Sequence, residues 1–522
     1  MSLDILKLPD DVAELQNIIV SLADKQAANE SKILDLEEYV RQLKSALFGR
    51  KSEKIPPNEG KQSVLFDEAE VIALEEREEV VVDKHNRRKP GRKPLPPQLP
   101  RVEVVHDLSD AEKVCECGAT LSRIGEEVCE KLDIIPARIQ VVRHIRHQYA
   151  CKSCQGVDSE APTVKIAPAP PQIIPKGLAT PGLLAYIMTS KFEDALPFYR
   201  QEKIFARIGV EITRGNMANW AIKVAQQSDP LMKLFQQEIR GGPLVNIDET
   251  PVQVMKEPDR PNTSSSYMWL YRGGDPDHPV LFYQYQPTRS GVVPLTFLKG
   301  YRGYIQTDGY SGYEALAREP WIIHLGCWAH ARRKFHDVVK SSAGQGRRGY
   351  ADDALGVIGN LYAIEKFADQ GSMTYEERRQ LRQENAIPIL EKFKEWLTGL
   401  SLKTPPKGLL GKAVNYTLSR WVSLVRYTEN GLLRPDNNLA ENAIRPFVVG
   451  RKNWLFSGHP RGADASATIY SLIETAKANG LQAYHYLRFL FEQLPLAQSD
   501  EDYKNLLPQY MDRKIIEALA SS

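Results

Sequence analysis

Cysteine is scarce, with six in 522 residues, and no basic n-region followed by an apolar h-region opens the chain. That combination argues against a disulfide-stapled secreted scaffold and for a cytoplasmic protein whose thiols bind metal or stay reduced. No apolar run reaches about 18 residues, so no membrane-spanning helix is expected. An excess of charge of one sign is also missing. The formal net charge is only +2, which removes any whole-chain electrostatic case for nucleic acid and leaves that case to local patches. At about 100–200 residues per domain, the length predicts three or four units.

What the chain does have is acids at the ends of strand-like runs. Leu244-Val-Asn-Ile-Asp-Glu-Thr250 reads as a buried strand ending in two carboxylates before Pro251. Side chains alternate across a strand, so Asp248 and Glu249 point to opposite faces and only one can belong to a given site. Asp248 is the candidate, against a solvated polar turn as the alternative. Strand-like stretches recur at 267–271, 280–285 and 303–307, the last running into Asp308-Gly-Tyr-Ser-Gly312. Asp308 thus repeats the arrangement of Asp248. Further on, Asn438 and Glu441 fit a capping box, and Glu441 shares a helix face with Arg445, close to Arg451, Lys452 and Trp454. An acid flanked by cations and an aromatic suits a phosphodiester. The same residues also suit a cap with no chemistry.

Before this region the chain changes character several times. Leu15, Leu22, Asn29, Leu36 and Leu43 stand seven apart beside a row of mostly branched residues (Val12, Ile19, Ile33, Val40), which predicts a two-stranded parallel coiled coil and a homodimer. An amphipathic helix docked on its own chain is the alternative. An acidic run at 67–83 gives way to the basic, Pro-broken Arg87-Arg-Lys-Pro-Gly-Arg-Lys-Pro94. There Arg88, Lys89, Arg92 and Lys93 suit a narrow minor groove, or equally a solvated linker. Cys115 and Cys117, then Cys151 and Cys154 after an alternating stretch at 139–149, predict four thiolates around a structural Zn²⁺, with reduced core thiols as the alternative. Cys129 stands alone as a core residue. Thr180-Pro181 opens a helix, a second spans about 197–208, and Thr213 caps a third with Arg214 and Asn216 at its start. This suits a helix-turn-helix reader of DNA or an ordinary helical spacer. Gly326-Cys-Trp-Ala-His330 begins a basic helix. Cys327 and His330 form half a metal site, a packing pair or an active-site contact. Residues 344–430 look wholly helical and read as an insertion.

Taken together, Leu47-Phe-Gly-Arg-Lys-Ser-Glu53, Lys89-Pro-Gly-Arg-Lys-Pro94, the paired cysteines, Asp248-Glu-Thr-Pro251, Thr307-Asp-Gly-Tyr310, Gly326-Cys-Trp-Ala-His330, Asn438-Leu-Ala-Glu-Asn-Ala-Ile-Arg-Pro446 and Gly450-Arg-Lys-Asn-Trp454 give the chain a resemblance to the large transposase protein of the insertion-sequence-66 family. The first cysteine pair departs from the pattern, being C-x-C. The resemblance implies a DDE-type transposase with an α/β RNase H-like core, a triad of Asp248, Asp308 and Glu441, a helical insertion before the third acid, and His330 near the active site among the DNA contacts. It also implies small accessory proteins encoded by the same element, and a bacterial, nucleoid-associated location. Three converging carboxylates suit two Mg²⁺ ions about 3.5–4 Å apart.

The expected architecture is therefore multidomain. It comprises a coiled coil (1–50), a linker with the basic segment (51–101), a zinc-ribbon-like module (102–165), a helical DNA-binding region (166–240), the catalytic core (241–343 and 431–480), the helical insertion (344–430) and C-terminal helices (481–522). The expected function is metal-dependent hydrolysis at the element's terminal inverted repeats, then strand transfer into target DNA. A dimeric zinc-containing regulator without catalysis is the rival, and a glycosidase using two of the acids is a second.

Overall fold

A computed structural model describes residues 139–150, 164–342 and 349–521, with Gln16, Val20, Ser21, Leu22, Lys25 and Gln26 in addition. The four zinc-candidate cysteines, Cys129, the basic Arg88, Lys89, Arg92 and Lys93, and nearly all the heptad positions lie outside the described residues. The chain divides into two compact units, Glu76–Pro170 and the remainder. In the smaller one, β1 (Gln148–Ala150) pairs antiparallel with β2 (Val164–Ile166). The alternation at 139–149 predicts a longer strand. Residues 139–147 are not strand, and Val141, Val142 and Ile145 are exposed.

From Pro171 onward the larger unit begins with four helices. Thr180 caps α1 (Pro181–Phe192) by accepting from Leu183 N at 3.3 Å, as its Thr-Pro start predicts. After α2 (Phe198–Arg207) the chain reverses at Gly209, whose φ of +82° suits a residue without Cβ. Thr213 then caps α3 (Arg214–Gln227) through Asn216 N at 3.2 Å. Helix α4 (Asp229–Gly241) leads into the sheet.

The sheet is mixed. Strands β3 (Leu244–Val254), β4 (Ser265–Gly274) and β5 (Pro279–Gln286) form an antiparallel meander. Past the short helix α5 (Val292–Phe297), β6 (Gly303–Gln306) joins β3 in parallel; after α6 (Glu314–Ala317), β7 (Ile322–Leu325) joins β6. The order is β5-β4-β3-β6-β7. Helices α7 (Trp328–Ser342), α8 (Tyr350–Gln370), α9 (Tyr375–Ser401), α10 (Leu409–Ser419) and α11 (Trp421–Val425) follow. Then come α12 (Asn438–Trp454), the two-residue β8 (Phe456–Ser457) beside β3, α13 (Pro460–Ala478) and α14 (Ala483–Gln493). Among the described residues no helix is long and apolar enough to cross a membrane.

Two apolar cores result. One joins the sheet to α1, α3, α4, α12, α13 and α14 through residues such as Met217, Phe235, Ile247, Trp269, Phe447, Tyr470 and Leu487. The other lies among α7 to α11, where Trp328, Phe335, Ile358, Leu361, Phe393 and Trp421 pack together. The open edge of β5 is covered by one face of α13. Ser471 Oγ accepts from Tyr283 N at 2.8 Å, Thr475 Oγ1 from Leu281 N at 3.0 Å, and Asn479 Nδ2 donates to Pro279 O at 2.9 Å. Polar residues four apart on a helix thereby satisfy backbone groups that an edge strand would otherwise offer to another chain.

Asp248 is not at a strand end, because β3 runs six residues beyond it. Its parallel partner β6 stops at Gln306, opposite Asn246, so from there to the β8 pairing at Gln253 that side of β3 pairs with no strand among the described residues. An unpaired side tolerates Pro251, which has no N–H to give.

Candidate active site

The ladder sets the acids side by side. The β3–β6 register (Leu244↔Tyr304, Val245↔Ile305, Asn246↔Gln306) carried two residues further puts Asp248 opposite Asp308, and the β6–β7 register (Gln306↔Leu325) carried the same distance puts Asp308 opposite Cys327. Both acids emerge where β6 has ended, the crevice at strand ends where α/β sheets place ligands. Asp308 is fixed by a turn in which its Oδ1 accepts from Tyr310 N at 2.8 Å, and Asp248 Oδ1 accepts from Glu249 N at 2.9 Å.

Glu441 comes from the first turn of α12. The helix begins at Asn438 with Asn437 as its N-cap and no side-chain capping bond, so the Asn438–Glu441 box does not form. Instead Glu441 Oε1 lies 3.7 Å from His330 Nδ1. What holds the helix start is a buried amide network. Asn246 Nδ2 donates to Gln306 Oε1 (3.0 Å) and Asn437 Oδ1 (3.1 Å), and Asn437 Nδ2 donates to Ile247 O (2.9 Å). Gln306 Nε2 donates onward to Arg434 O at 2.8 Å. Asn246 and Gln306 each precede an acid by two residues and so share its face of the strand.

The electrostatics record the convergence. Burial raises the Asp248 carboxyl well above the usual carboxylate range, and the charges of Glu249, Glu441 and Asp308 push it the same way. Burial likewise raises the Cys327 thiol, helped by Glu441 and Asp436. His330 falls to about 4, first through burial and then through Arg333, although Asp308 pulls it back. Like charges drawn together in a half-buried crevice, with all-oxygen donors, are a fit for hard divalent cations.

Glu249 lies on the other face, its side chain almost wholly buried, held by Arg289 and the Tyr313 hydroxyl. Arg289 also reaches Asp308 Oδ2 at 3.9 Å and stacks on Tyr310, 3.8 Å from the ring centre. Sequence reasoning missed Arg289, Tyr313 and the three amides. Asn246 and Gln306 show only as single polar residues in apolar strands, and Arg289, Tyr313 and Asn437, which lie outside the strands, leave not even that trace.

The candidate DNA contacts separate. Arg214 and Asn216 are exposed at the start of α3. Arg214 borders a cleft of about 360 Å³ with Lys191, Phe198, Tyr199, Trp454 and Phe456. Lys191 lies 4.5 Å from the Phe198 ring centre and 5.3 Å from that of Trp454. Lys452 is exposed at the far end of α12. Arg445 bonds Asn442 Oδ1 at 2.7 Å, and Arg451 turns back to Thr250 Oγ1 at 3.1 Å. His330 belongs with the acids rather than with this surface.

Comparison with known proteins bears on the whole chain. Residues 176–465 match the family model described as Transposase IS66 family, and residues 112–155, which contain all four zinc-candidate cysteines, match the zinc-finger binding domain of transposase IS66. Residues 35–104 match Transposase C of IS166 homeodomain, and 471–509 the IS66 C-terminal element. Two proteins of Sinorhizobium fredii (strain NBRC 101917 / NGR234) are similar throughout. Uncharacterized protein y4jD is 31% identical over 95% of each chain, and uncharacterized protein y4qI is 30% identical over 97% of this chain and 98% of its own.

Proposed function

The chain belongs to the IS66 transposase family, and from that premise we propose that it is a DDE-type transposase in which Asp248, Asp308 and Glu441 are the catalytic acids. The observation that carries this is the placement of the three: Asp248 on β3, Asp308 two residues past the end of its parallel neighbour β6, and Glu441 in the first turn of α12, near enough that both others help raise Asp248. The strand order, three antiparallel strands followed by two parallel ones, supports an RNase H-like core. The helices between β7 and α12 then form an insertion between the second and third acids.

The reaction has two steps. Water attacks the phosphorus at each element end; a P–O bond forms to water, the bond to the 3′-oxygen breaks, and that oxygen leaves as a 3′-hydroxyl. The hydroxyl then attacks a target phosphorus, displacing the target's own 3′-oxygen, so bonds are exchanged with no covalent protein intermediate. Two divalent cations held by the three acids, Mg²⁺ by the hardness of the donors, would activate the attacking oxygen and stabilise the leaving one. Asp248, Asp308 and Glu441 supply the binding charge. Arg289 anchors Asp308 and Glu249, and the Asn246–Gln306–Asn437 network orients Glu441. Arg445, Arg451, Lys452, Arg214 and Asn216 bind DNA, and the Lys191–Trp454 cleft lies on the same path. Cys115, Cys117, Cys151 and Cys154 hold a structural Zn²⁺, the N-terminal heptads pair two copies, accessory proteins of the same element assist, and the complex works on DNA in the cytoplasm.

The test is cleavage of DNA carrying the element ends, with and without Mg²⁺. Asp248→Asn, Asp308→Asn and Glu441→Gln should each abolish nicking while leaving the far-ultraviolet spectrum unchanged. Full cleavage by all three variants would overturn the assignment, and Mg²⁺-independent binding without nicking by the unaltered protein would favour the regulator.

A further inference from the structure

Cys327 and His330 show only two donors in the sequence, and the fold supplies a third. Sγ of Cys327, an imidazole nitrogen of His330 and a carboxylate oxygen of Glu441 all lie within 4.8 Å of one another. Cys327 directly precedes α7 and His330 is its third residue, so one helix start presents both, while Glu441 arrives from the start of α12.

Three features distinguish this trio from a packed core. First, His330 Nδ1 is buried and makes no hydrogen bond. A buried ring nitrogen without a partner is costly. Second, its separation from Glu441 Oε1, 3.7 Å, is too long for a hydrogen bond. It is close to the roughly 3.4 Å that separates two donors sharing one tetrahedral ion at about 2.0–2.1 Å. Third, Cys327 is buried and its Sγ accepts the Asn437 backbone N–H at 3.3 Å, which fixes the sulfur beside the start of the helix that carries Glu441.

We propose that Cys327, His330 and Glu441 form a second cation site, for a soft divalent ion of the Zn²⁺ class, and that its occupation withdraws Glu441 from the Asp248–Asp308 pair and stops strand cleavage. The donor chemistry separates this site from its neighbour. Thiolate, imidazole and one carboxylate, with a fourth position open, suit Zn²⁺, whereas Mg²⁺ demands oxygen. Binding forms an S–metal bond as the Cys327 S–H bond breaks, and the proton passes to solvent. Glu441 is the shared donor, so the two sites compete. Only this regulatory consequence rests on the transposase reading; the binding itself does not.

The experiment uses the full chain, with its zinc module loaded, and titrates Co²⁺ while recording the thiolate-to-metal absorption band. One further equivalent should bind the unaltered protein and be lost in Cys327→Ser. His330→Asn, at a partly exposed position, serves as a second variant should the buried serine impair folding. Equal stoichiometry in the unaltered protein and a folded variant overturns the site. In the second arm, Zn²⁺ is added to Mg²⁺-driven cleavage, with each protein's rate normalised to its own zinc-free value. Zn²⁺ that saturates the site should slow the unaltered protein at least tenfold, and Cys327→Ser should need at least ten times more Zn²⁺ for the same loss. Equal inhibition of both would place the zinc on the acids alone and overturn the proposal. A protein that binds the extra Co²⁺ but cleaves nothing under any condition keeps the site and defeats the transposase reading instead.

Discussion

Asn437 offers a test of how the third acid is held. It is buried at the cap of α12, accepting from Asn246 Nδ2 and donating to Ile247 O. In Asn437→Ala both side-chain bonds disappear. Asn246 Nδ2 keeps Gln306 Oε1 at 3.0 Å, so the loss falls on the Ile247 carbonyl and on half of one donor. At about 1–3 kcal/mol for each buried group left unsatisfied, the destabilisation is about 2–4 kcal/mol, and a water drawn into the void moves it toward the lower figure. Cleavage should suffer too, because a shift of about 1 Å in a reacting group costs on the order of 10²-fold. Asn437→Asp retains the acceptor, loses the donor and adds charge beside an acidic cluster, so it should be worse than alanine at neutral pH and approach it in acid. Denaturant melts without metal, and cleavage well below the melting temperature, measure the two effects. A loss under about 0.5 kcal/mol together with ordinary cleavage would refute the idea that this amide network positions Glu441.

Asp248 makes a pH prediction. Its folded value is raised, so its contribution to stability is complete below the unfolded carboxylate range and is lost as pH rises through the folded value. Asp248→Asn should therefore flatten the decline in metal-free melting temperature toward neutral pH, as calorimetry across about pH 4 to 8 would show; an unchanged profile would contradict the crowding. Mg²⁺ at about 100 times its dissociation constant should stabilise the unaltered protein by about 2.7 kcal/mol and the Asp248, Asp308 and Glu441 variants by far less, read from thermal melts. Arg382→Met should cost about 3–5 kcal/mol by leaving buried polar groups without their cation, with Arg378 on Glu365 (3.1 Å) keeping it near the lower end; chemical denaturation measures it. If Lys452 contacts a DNA phosphate, Lys452→Ala should reduce the slope of log affinity against log salt by about 0.9, as binding titrations at several salt concentrations would reveal.

The sheet was legible because each strand carries its own apolar run and a turn, and the first helices because Thr180, Gly209 and Thr213 mark their limits. Local signals give out where the deciding partner is distant in the chain. The extent of β3 past Pro251 depends on its pairing with β4 and β8, which its own residues do not encode. Glu441 satisfies the spacing of a capping box with Asn438, and only the observed start of α12, with Asn437 as the cap and no side-chain capping bond, shows that this box does not form. Asn246 and Gln306 read as interruptions in apolar strands until the pairing of β3 with β6 lets them bond each other and Asn437 is placed beside Asn246. Cys327 and His330 likewise read as half a site until α12 delivers the third donor. Arg289 and Arg382 have acidic partners that no periodicity predicts.

The helical segment between the second and third acids has a mechanical part in this arrangement. Arg382, on α9, is completely buried; it pairs with Glu365 of α8 and donates to the carbonyls of Tyr427 (2.7 Å), Asn430 (2.8 Å) and Leu433 (2.7 Å). Those carbonyls belong to the stretch that leads into α12. Arg434, at its end, pairs with Asp369 of α8 at 2.9 Å, and its own carbonyl receives Gln306. The approach to Glu441 is thus clamped by the helices on one side and, through Asn437, by the sheet on the other. Two anchors are needed because the acids repel one another and no covalent link holds the third beside the first two. A helix start fixed at a single point could swing Glu441 outward and relieve the repulsion. Fixed at both, the start of α12 keeps Glu441 near enough to Asp248 for its charge to help raise that carboxyl.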